Sequence, residues 1–158
     1  MIVRLRRLLA NLPPPLVYAL PLVLGIRVNQ AHPQPIAPAS LARVAALVGI
    51  ALIGSALVLA FSAVGLFIRR RTTIVPHHRS RALVTSGPFR FTRNPMYLAL
   101  TCAFVGICLV TNAACALLFL AFPLLYLRAI TIPREERLLG EAFGASYASY
   151  ASRVRRWL

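Results

Sequence analysis

Three carboxylates make up the whole acidic side-chain inventory of this 158-residue chain, and they fall within seven positions: Glu135, Glu136 and Glu141. Any acid–base chemistry or cation recognition by a side-chain carboxylate has to come from this cluster. Pro133 suits the first turn of a helix, and acids near a helix N-terminus suit its macrodipole. On such a helix Glu135 centres on an apolar face with Leu138, Leu139, Ala142 and Phe143, while Arg134, Arg137 and Glu141 take the other side. Glu141 can pair with Arg137 four residues earlier. Glu136 falls at the border. A carboxylate on a buried face needs a partner, so Glu135 is either a functional group or half of a structural ion pair.

Downstream, Tyr147, Tyr150, Val154 and Trp157 follow at helical spacing beside Arg153, Arg155 and Arg156. That stripe reads as an interfacial helix lying on a membrane, with the two tyrosines also placed to face a pocket. Upstream, residues 83–97 form a second candidate region. Ser86-Gly87-Pro88 signals a turn, and Asn94-Pro95 opens a helix with Asn94 as its N-cap. An Arg-rich loop feeding a helix N-terminus is either an anion site or an ordinary capped helix with snorkelling arginines; spacing alone favours the ordinary helix.

Other reactive side chains point to structure instead of chemistry. Cys102, Cys108 and Cys115 lie in apolar runs without paired spacing, as small buried hydrophobes do. His77 and His78 sit side by side among arginines and read as loop residues, so no metal site is expected. None of the eight glycines forms G-x-G, the turn of soluble nucleotide-binding folds.

The elements that must carry these residues are membrane segments. The chain is 59% hydrophobic, against about 45–50% in soluble domains. All 18 basic residues are Arg, the net charge is +15, and the arginines bracket apolar runs. This pattern sets nucleic acid aside and favours an anionic membrane face. A span needs about 20 apolar residues. The first uncharged stretch, Leu8–Ile26, carries Asn11 and Pro13-Pro14-Pro15, so its helix should start near Pro15 and be a tilted span or a partly inserted segment, with a cleaved signal peptide as the alternative. The second, Val44–Ile68, is studded with small residues (Ala45, Gly49, Gly54, Ala56, Ala60) that let helices approach closely. The third is uncharged over 34 residues, 94–127, about 51 Å as one helix and too long for one crossing. Thr111-Asn112 near its middle predicts a hairpin of Pro95–Val110 and Asn112–Leu127. Sixteen arginines then fall on one side, with only Arg27 and Arg43 on the other. The bias predicts cytoplasmic termini, a bacterial inner membrane, and an external Pro-rich connector from Asn29 to Ser40.

The expectation is an all-α, polytopic integral membrane helix bundle of about four segments, with a C-terminal cytoplasmic or interfacial amphipathic helical region. It forms one membrane domain, 1–158, with N-terminal spans and loop to residue 80 and a cofactor-binding region over 81–158.

Taken together, several motifs resemble the isoprenylcysteine carboxyl methyltransferase family and are similar to the related membrane phospholipid methyltransferases. They are Thr85-Ser86-Gly87 through Arg93-Asn94-Pro95-Met96-Tyr97, the hydrophobic hairpin, Glu135-Glu136, and Phe143-Gly144 with Tyr147, Tyr150, Arg153 and Val154. The resemblance covers roughly residues 81–155, and the order and spacing of the motifs make it specific. It implies S-adenosylmethionine as cofactor on the cytoplasmic side under the C-terminal helix. Leu83, Val84, Phe89, Asn94, Pro95, Met96, Tyr97 and Glu135 would line that pocket, with Arg128 and Glu136 serving the acceptor. This chain departs from the family pattern: Asn94 replaces a His, Phe89 a common Tyr, and Arg81 another His of the eukaryotic enzymes. The Arg that reads the substrate carboxylate would fall near Thr131, between Arg128 and Arg134.

Methyl transfer from a sulfonium demands alignment and exclusion of water. Aromatic faces such as Tyr97 and Phe89 suit the cation. A carboxylate acceptor needs no base; an amine, thiol or phenol would use Glu136. The implied partners are membrane lipids and an amphiphilic small-molecule acceptor, not nucleic acid, and the oligomeric state stays open. Two other readings stand beside this one: a non-enzymatic membrane protein binding anionic lipid or a partner through its arginines, and a membrane reductase using NADPH.

Overall fold

The computed structural model describes residues 12–69 and 83–158. Expectations that fall on Leu8–Asn11, His77, His78 and Arg81 lie outside them. All regular elements among the described residues are helical. Helix α1 spans Pro14–Ala31, α2 Ala42–Arg69, α3 Pro95–Val110, α4 Ala114–Phe119, α5 Ala121–Tyr126 and α6 Ile132–Arg153. A 3-10 turn, Gly87–Arg90, precedes α3, and a π-helical turn, Leu127–Thr131, joins α5 to α6.

Helix α1 begins with Pro at its first position, as expected near Pro15, but runs past Ile26 to Ala31. Arg27 ends the apolar run without ending the helix, because Arg is a good helix former; its side chain donates to Gln30 at 3.4 Å. The helix stops at His32, which precedes Pro33, where the helical conformation is disfavoured.

Helix α2 is long and apolar enough to cross a membrane. It packs mainly on α3, through Gly49, Ala56 and Ala63, buried and seven residues apart. A Cβ on Gly49 would lie 2.5 Å from the Gly106 carbonyl oxygen, and one on Gly106 would lie 2.7 Å from that of Gly49. Backbone approach of this kind requires small residues on both helices. Gly54 does not belong to this contact; it faces outward with nothing within 4 Å.

The predicted hairpin is present, with its turn at Thr111–Asn112. Asn112 takes φ +50°, a conformation Asn tolerates. Its side-chain amide grips the connector between α1 and α2: Oδ1 accepts from Ala37 N at 2.9 Å and Nδ2 donates to Ala37 O at 3.0 Å. The second arm follows one helical path from Ala114, with an irregular turn at Leu120, between α4 and α5, where φ −63° and ψ −27° stay helical. Pro123 explains this, since it removes one helical donor and its ring crowds the carbonyl four residues back. Pro133 follows the π-helical turn in the same way.

The main core lies between α1, α3 and the second arm, with Val17, Tyr18, Tyr97, Phe104, Cys108, Leu127 and Ile132 at its centre. The outward faces of α1 and α2 are apolar: Leu20, Val58 and Phe61 are 68%, 68% and 73% exposed. Such a surface is unsuited to water and suited to lipid. The fold is a small membrane helix bundle, all-α as the sequence predicts.

Candidate functional site

The hairpin returns the chain so that α6 starts beside the start of α3. Tyr97, in the first turn of α3, donates its hydroxyl to Glu135 Oε1 at 2.5 Å, across 38 positions. Burial pushes the Glu135 carboxyl up to about 7; the Tyr97 hydroxyl opposes that rise and nearby Glu136 adds to it. Glu135 stands beyond the apolar arm, which Arg128 closes, and has no cationic side-chain partner among the described residues. Of the two options the sequence left open, no structural ion pair is made with the described residues.

The next residue is wired differently. Arg156 gives Nε to Glu136 Oε1 at 2.8 Å and Nη2 to Oε2 at 2.6 Å, and Arg93 Nη1 lies 3.0 Å from Oε1. Both carboxylate oxygens are engaged, so accepting a proton would mean breaking ion pairs. This geometry fits a positioning residue better than the base considered for Glu136. Glu141 pairs with Arg137 at 3.8 Å on the exposed face, as helical spacing predicts.

The C-terminal segment comes back over the loop before α3. Gly144, at φ +50° and ψ −124°, breaks α6 into two helical pieces; residues with a Cβ are strongly disfavoured in that conformation. Beyond the break Tyr147 and Tyr150 are buried, not laid on a surface. Arg93 Nη1 donates to the Tyr147 hydroxyl at 3.4 Å, and Tyr150 donates its hydroxyl to Phe89 O at 2.7 Å. Burial pushes the Tyr150 hydroxyl up to about 12, against the nearby Arg93 charge. The helix ends at Arg153, so the predicted stripe loses Val154 and Trp157. The tail then pairs with the loop: Arg93 N donates to Arg155 O at 2.9 Å, and Thr92 Oγ1 and Asn94 Nδ2 both donate to Arg156 O at 2.9 Å. Asn94 holds the N-cap position but makes no side-chain cap bond; its Nδ2 is turned to the tail instead. Trp157 is half-buried and packs against the main core.

The expected pocket residues divide into two groups. Tyr97 and Glu135 meet directly. Val84 and Phe89 pack with Ala63 of α2, and Met96 joins that cluster, with Phe67 edge-on to Phe89 at 5.4 Å. Pro95 is buried, and Leu83 is half-buried. Arg128 lies apart, exposed on the π-helical turn, where it lines a cavity of about 200 Å³ with Ile132, Arg156 and Trp157. Sequence reasoning passed over Arg93 and Arg156 as site residues. Their signal, an Arg beside each candidate segment, is indistinguishable in sequence from snorkelling arginines.

Fold and site together define an all-helical membrane protein whose acid pair is held where a helical hairpin meets the segment before it. The chain belongs to the phospholipid methyltransferase family, whose model ("Phospholipid methyltransferase") matches residues 44–146. The match takes in both acids, Tyr97 and the Gly144 break, and makes this a member of a membrane methyltransferase family. It is also similar to the cobalt-zinc-cadmium resistance protein CzcN of Cupriavidus metallidurans, 38% identical over 78 residues, which are 48% of this chain and 35% of that protein. The matched stretch thus spans about a third of that relative's length. No solved structure matches.

Proposed function

We propose that this chain is an integral membrane methyltransferase that uses S-adenosylmethionine and acts on a lipid-like or amphiphilic small acceptor through a carboxylate or similar nucleophile. The observation that carries the reading is the Tyr97–Glu135 hydrogen bond. It sets the one acid without a cationic partner among the described residues against the segment that opens α3.

The donor set fits the cofactor. Arg93 Nε is buried with no hydrogen-bond partner among the described residues, a donor that a ligand carboxylate would satisfy. Glu135 keeps a carboxylate for an ammonium or sulfonium, and Tyr97 fixes one of its oxygens. When bound, the cofactor supplies a methyl group on cationic sulfur. Val84, Phe89 and Met96 would supply an apolar wall and Leu83 would extend it, Pro95 starts the helix that presents Tyr97, and Asn94 ties this segment to the tail. Glu136 positions Arg93 and Arg156, and Arg128 faces the acceptor side. The arginine distribution supports a bacterial inner membrane with both termini in the cytoplasm.

Calorimetric titration of the purified protein with S-adenosylhomocysteine tests the reading. Binding by the unmodified protein and none by Glu135→Gln is the expected result. Equal binding by the variant removes Glu135 from the site, and no binding by either protein sinks the cofactor. The relative's name speaks of cobalt, zinc and cadmium resistance; the family match over residues 44–146 is what favours methyl transfer.

A further inference from the structure

Helix α1 lies outside the stretch matched by the family model, which begins at residue 44, yet one of its side chains connects to the site. Tyr18 sits on α1, is 4% exposed, and belongs to the same core cluster as Tyr97 of α3 and Tyr126 of α5. Its ring meets Phe104 edge-on at 6.3 Å, so apolar packing holds the ring whether or not the hydroxyl is present. The hydroxyl lies 2.8 Å from Thr101 Oγ1. Thr101 Oγ1 in turn donates to Tyr97 O at 2.9 Å. A threonine hydroxyl has one proton. With that proton on the carbonyl, Tyr18 is the donor to Thr101.

The bonds therefore run one way, from α1 through Thr101 to the backbone of Tyr97, whose phenol donates to Glu135 Oε1. Tyr97 is held at both ends, its carbonyl by Thr101 and its tip by Glu135. A threonine that bonds back to the carbonyl four residues earlier bends its helix and slightly destabilises it. Thr101 is thus a poor stabiliser of α3 and well placed to set the angle of the turn that carries Tyr97. In a helix threonine divides between two χ1 rotamers, and the Tyr18 hydroxyl, which needs a partner at this depth, selects one of them.

We propose that Tyr18 is a positioning residue for the site: by holding the Thr101 hydroxyl on the Tyr97 carbonyl, it keeps the first turn of α3 at the angle that delivers the Tyr97 phenol to Glu135. That role rests on the methyl-transfer reading for the use of the Tyr97–Glu135 pair. Among the described residues, Glu135 is faced by Tyr97 from α3 and by Glu136 on its own helix, and Tyr97 by Tyr18 from α1 and Tyr126 from α5. A change at Tyr18 therefore reaches Glu135 through Tyr97.

Infrared titration of the carboxyl bands of the full-length protein in detergent, with no methyl donor present, tests it separately from cofactor binding. The chain has three side-chain carboxyls, and the Glu135 band is the one lost in Glu135→Gln. Tyr18→Phe keeps the ring contact and should raise the Glu135 midpoint by about half a pH unit, roughly threefold in proton affinity, in the same direction as Tyr97→Phe and by less. Thr101→Val should match it, Thr101→Ser should keep the unmodified midpoint, and Tyr18→Phe with Thr101→Val should go no further than either change alone. Phe104→Leu loosens the ring and leaves the hydroxyls, so it should lower the thermal midpoint and not the carboxyl midpoint. An unmoved carboxyl midpoint in Tyr18→Phe overturns the role, as does an equal shift in Phe104→Leu. With S-adenosylhomocysteine, Tyr18→Phe should bind about threefold more weakly well below the midpoint and equally well above it. Absence of binding by every protein would sink the cofactor reading and leave the infrared result standing.

Discussion

Glu136 and Arg156 meet through two hydrogen bonds, 2.8 and 2.6 Å, across 20 positions of chain. Their pairing closes a loop that the sequence leaves open: it joins the start of α6 to the tail, and Arg93 joins both to the segment before α3.

Glu136→Gln should therefore loosen the tail before it affects the bundle. Arg156 is 47% exposed, so solvent screens its half of the contact. The larger loss is at Arg93, whose side chain is 16% exposed and would lose its carboxylate. Together these losses come to about 1–3 kcal/mol. Hydrogen exchange should show faster exchange over residues 150–158 with α2 and α3 unchanged; uniform protection would count against the latch.

Stability should decline as the medium is made more basic through neutrality. The Glu135 carboxyl is raised from 4.5 to about 7 in the fold. Between those values the native state holds a proton that the unfolded chain releases, so the stabilisation is complete below 4.5 and lost as pH rises through about 7. The total is on the order of 3 kcal/mol. Thermal midpoints in detergent from pH 4.5 to 8 should show this slope, and Glu135→Gln should flatten it.

Binding of S-adenosylhomocysteine should follow the opposite trend, since its ammonium favours ionised Glu135. Affinity should rise by up to about tenfold per unit approaching pH 7 and level off above it. Tyr97→Phe removes the hydroxyl that favours the ionised form, so the midpoint of this profile should move upward. A profile unchanged by Tyr97→Phe would show that the hydroxyl is not coupled to the ligand.

Gly144→Ala should destabilise the C-terminal piece with no clash to blame. Nothing lies within 4 Å of a Cβ at that position, so the cost is the φ of +50° alone. About 1–3 kcal/mol is the usual penalty for holding a side-chain residue in such a region. If the helix straightens to escape it, Tyr147 and Tyr150 leave Arg93 and Phe89. Loss of near-ultraviolet circular dichroism from these tyrosines, ahead of any loss of helix, is the signature to measure.

The membrane segments were legible because hydrophobic run length and Arg placement act over tens of residues. The hairpin bounds Pro95–Val110 and the turn at Asn112 followed from the same run and one turn-forming residue. Glu135 was legible from helical periodicity, which holds over the first turns of α6. The same periodicity failed beyond Gly144, because a single backbone rotation there resets the face of everything downstream. That is why Trp157 is found against the core and Val154 outside the helix. Pro123 carried a readable warning of the irregular turn at Leu120, masked by the uniform hydropathy around it. The pairing of Glu136 with Arg93 and Arg156 was not legible, since among so many arginines sequence separation does not say which ones an acid will meet.

Asn112 and Ala37 are 75 positions apart and bonded in both directions, which has a consequence for how the protein is threaded through its bilayer. The bonds can form only if the connector and the hairpin tip emerge on the same side, so the pair acts as a check on insertion. A chain with one segment inverted or left outside would strand the amide with no backbone to read. Chemical labelling at either loop alone therefore fixes the sidedness of both, and with it the side on which the acid pair opens.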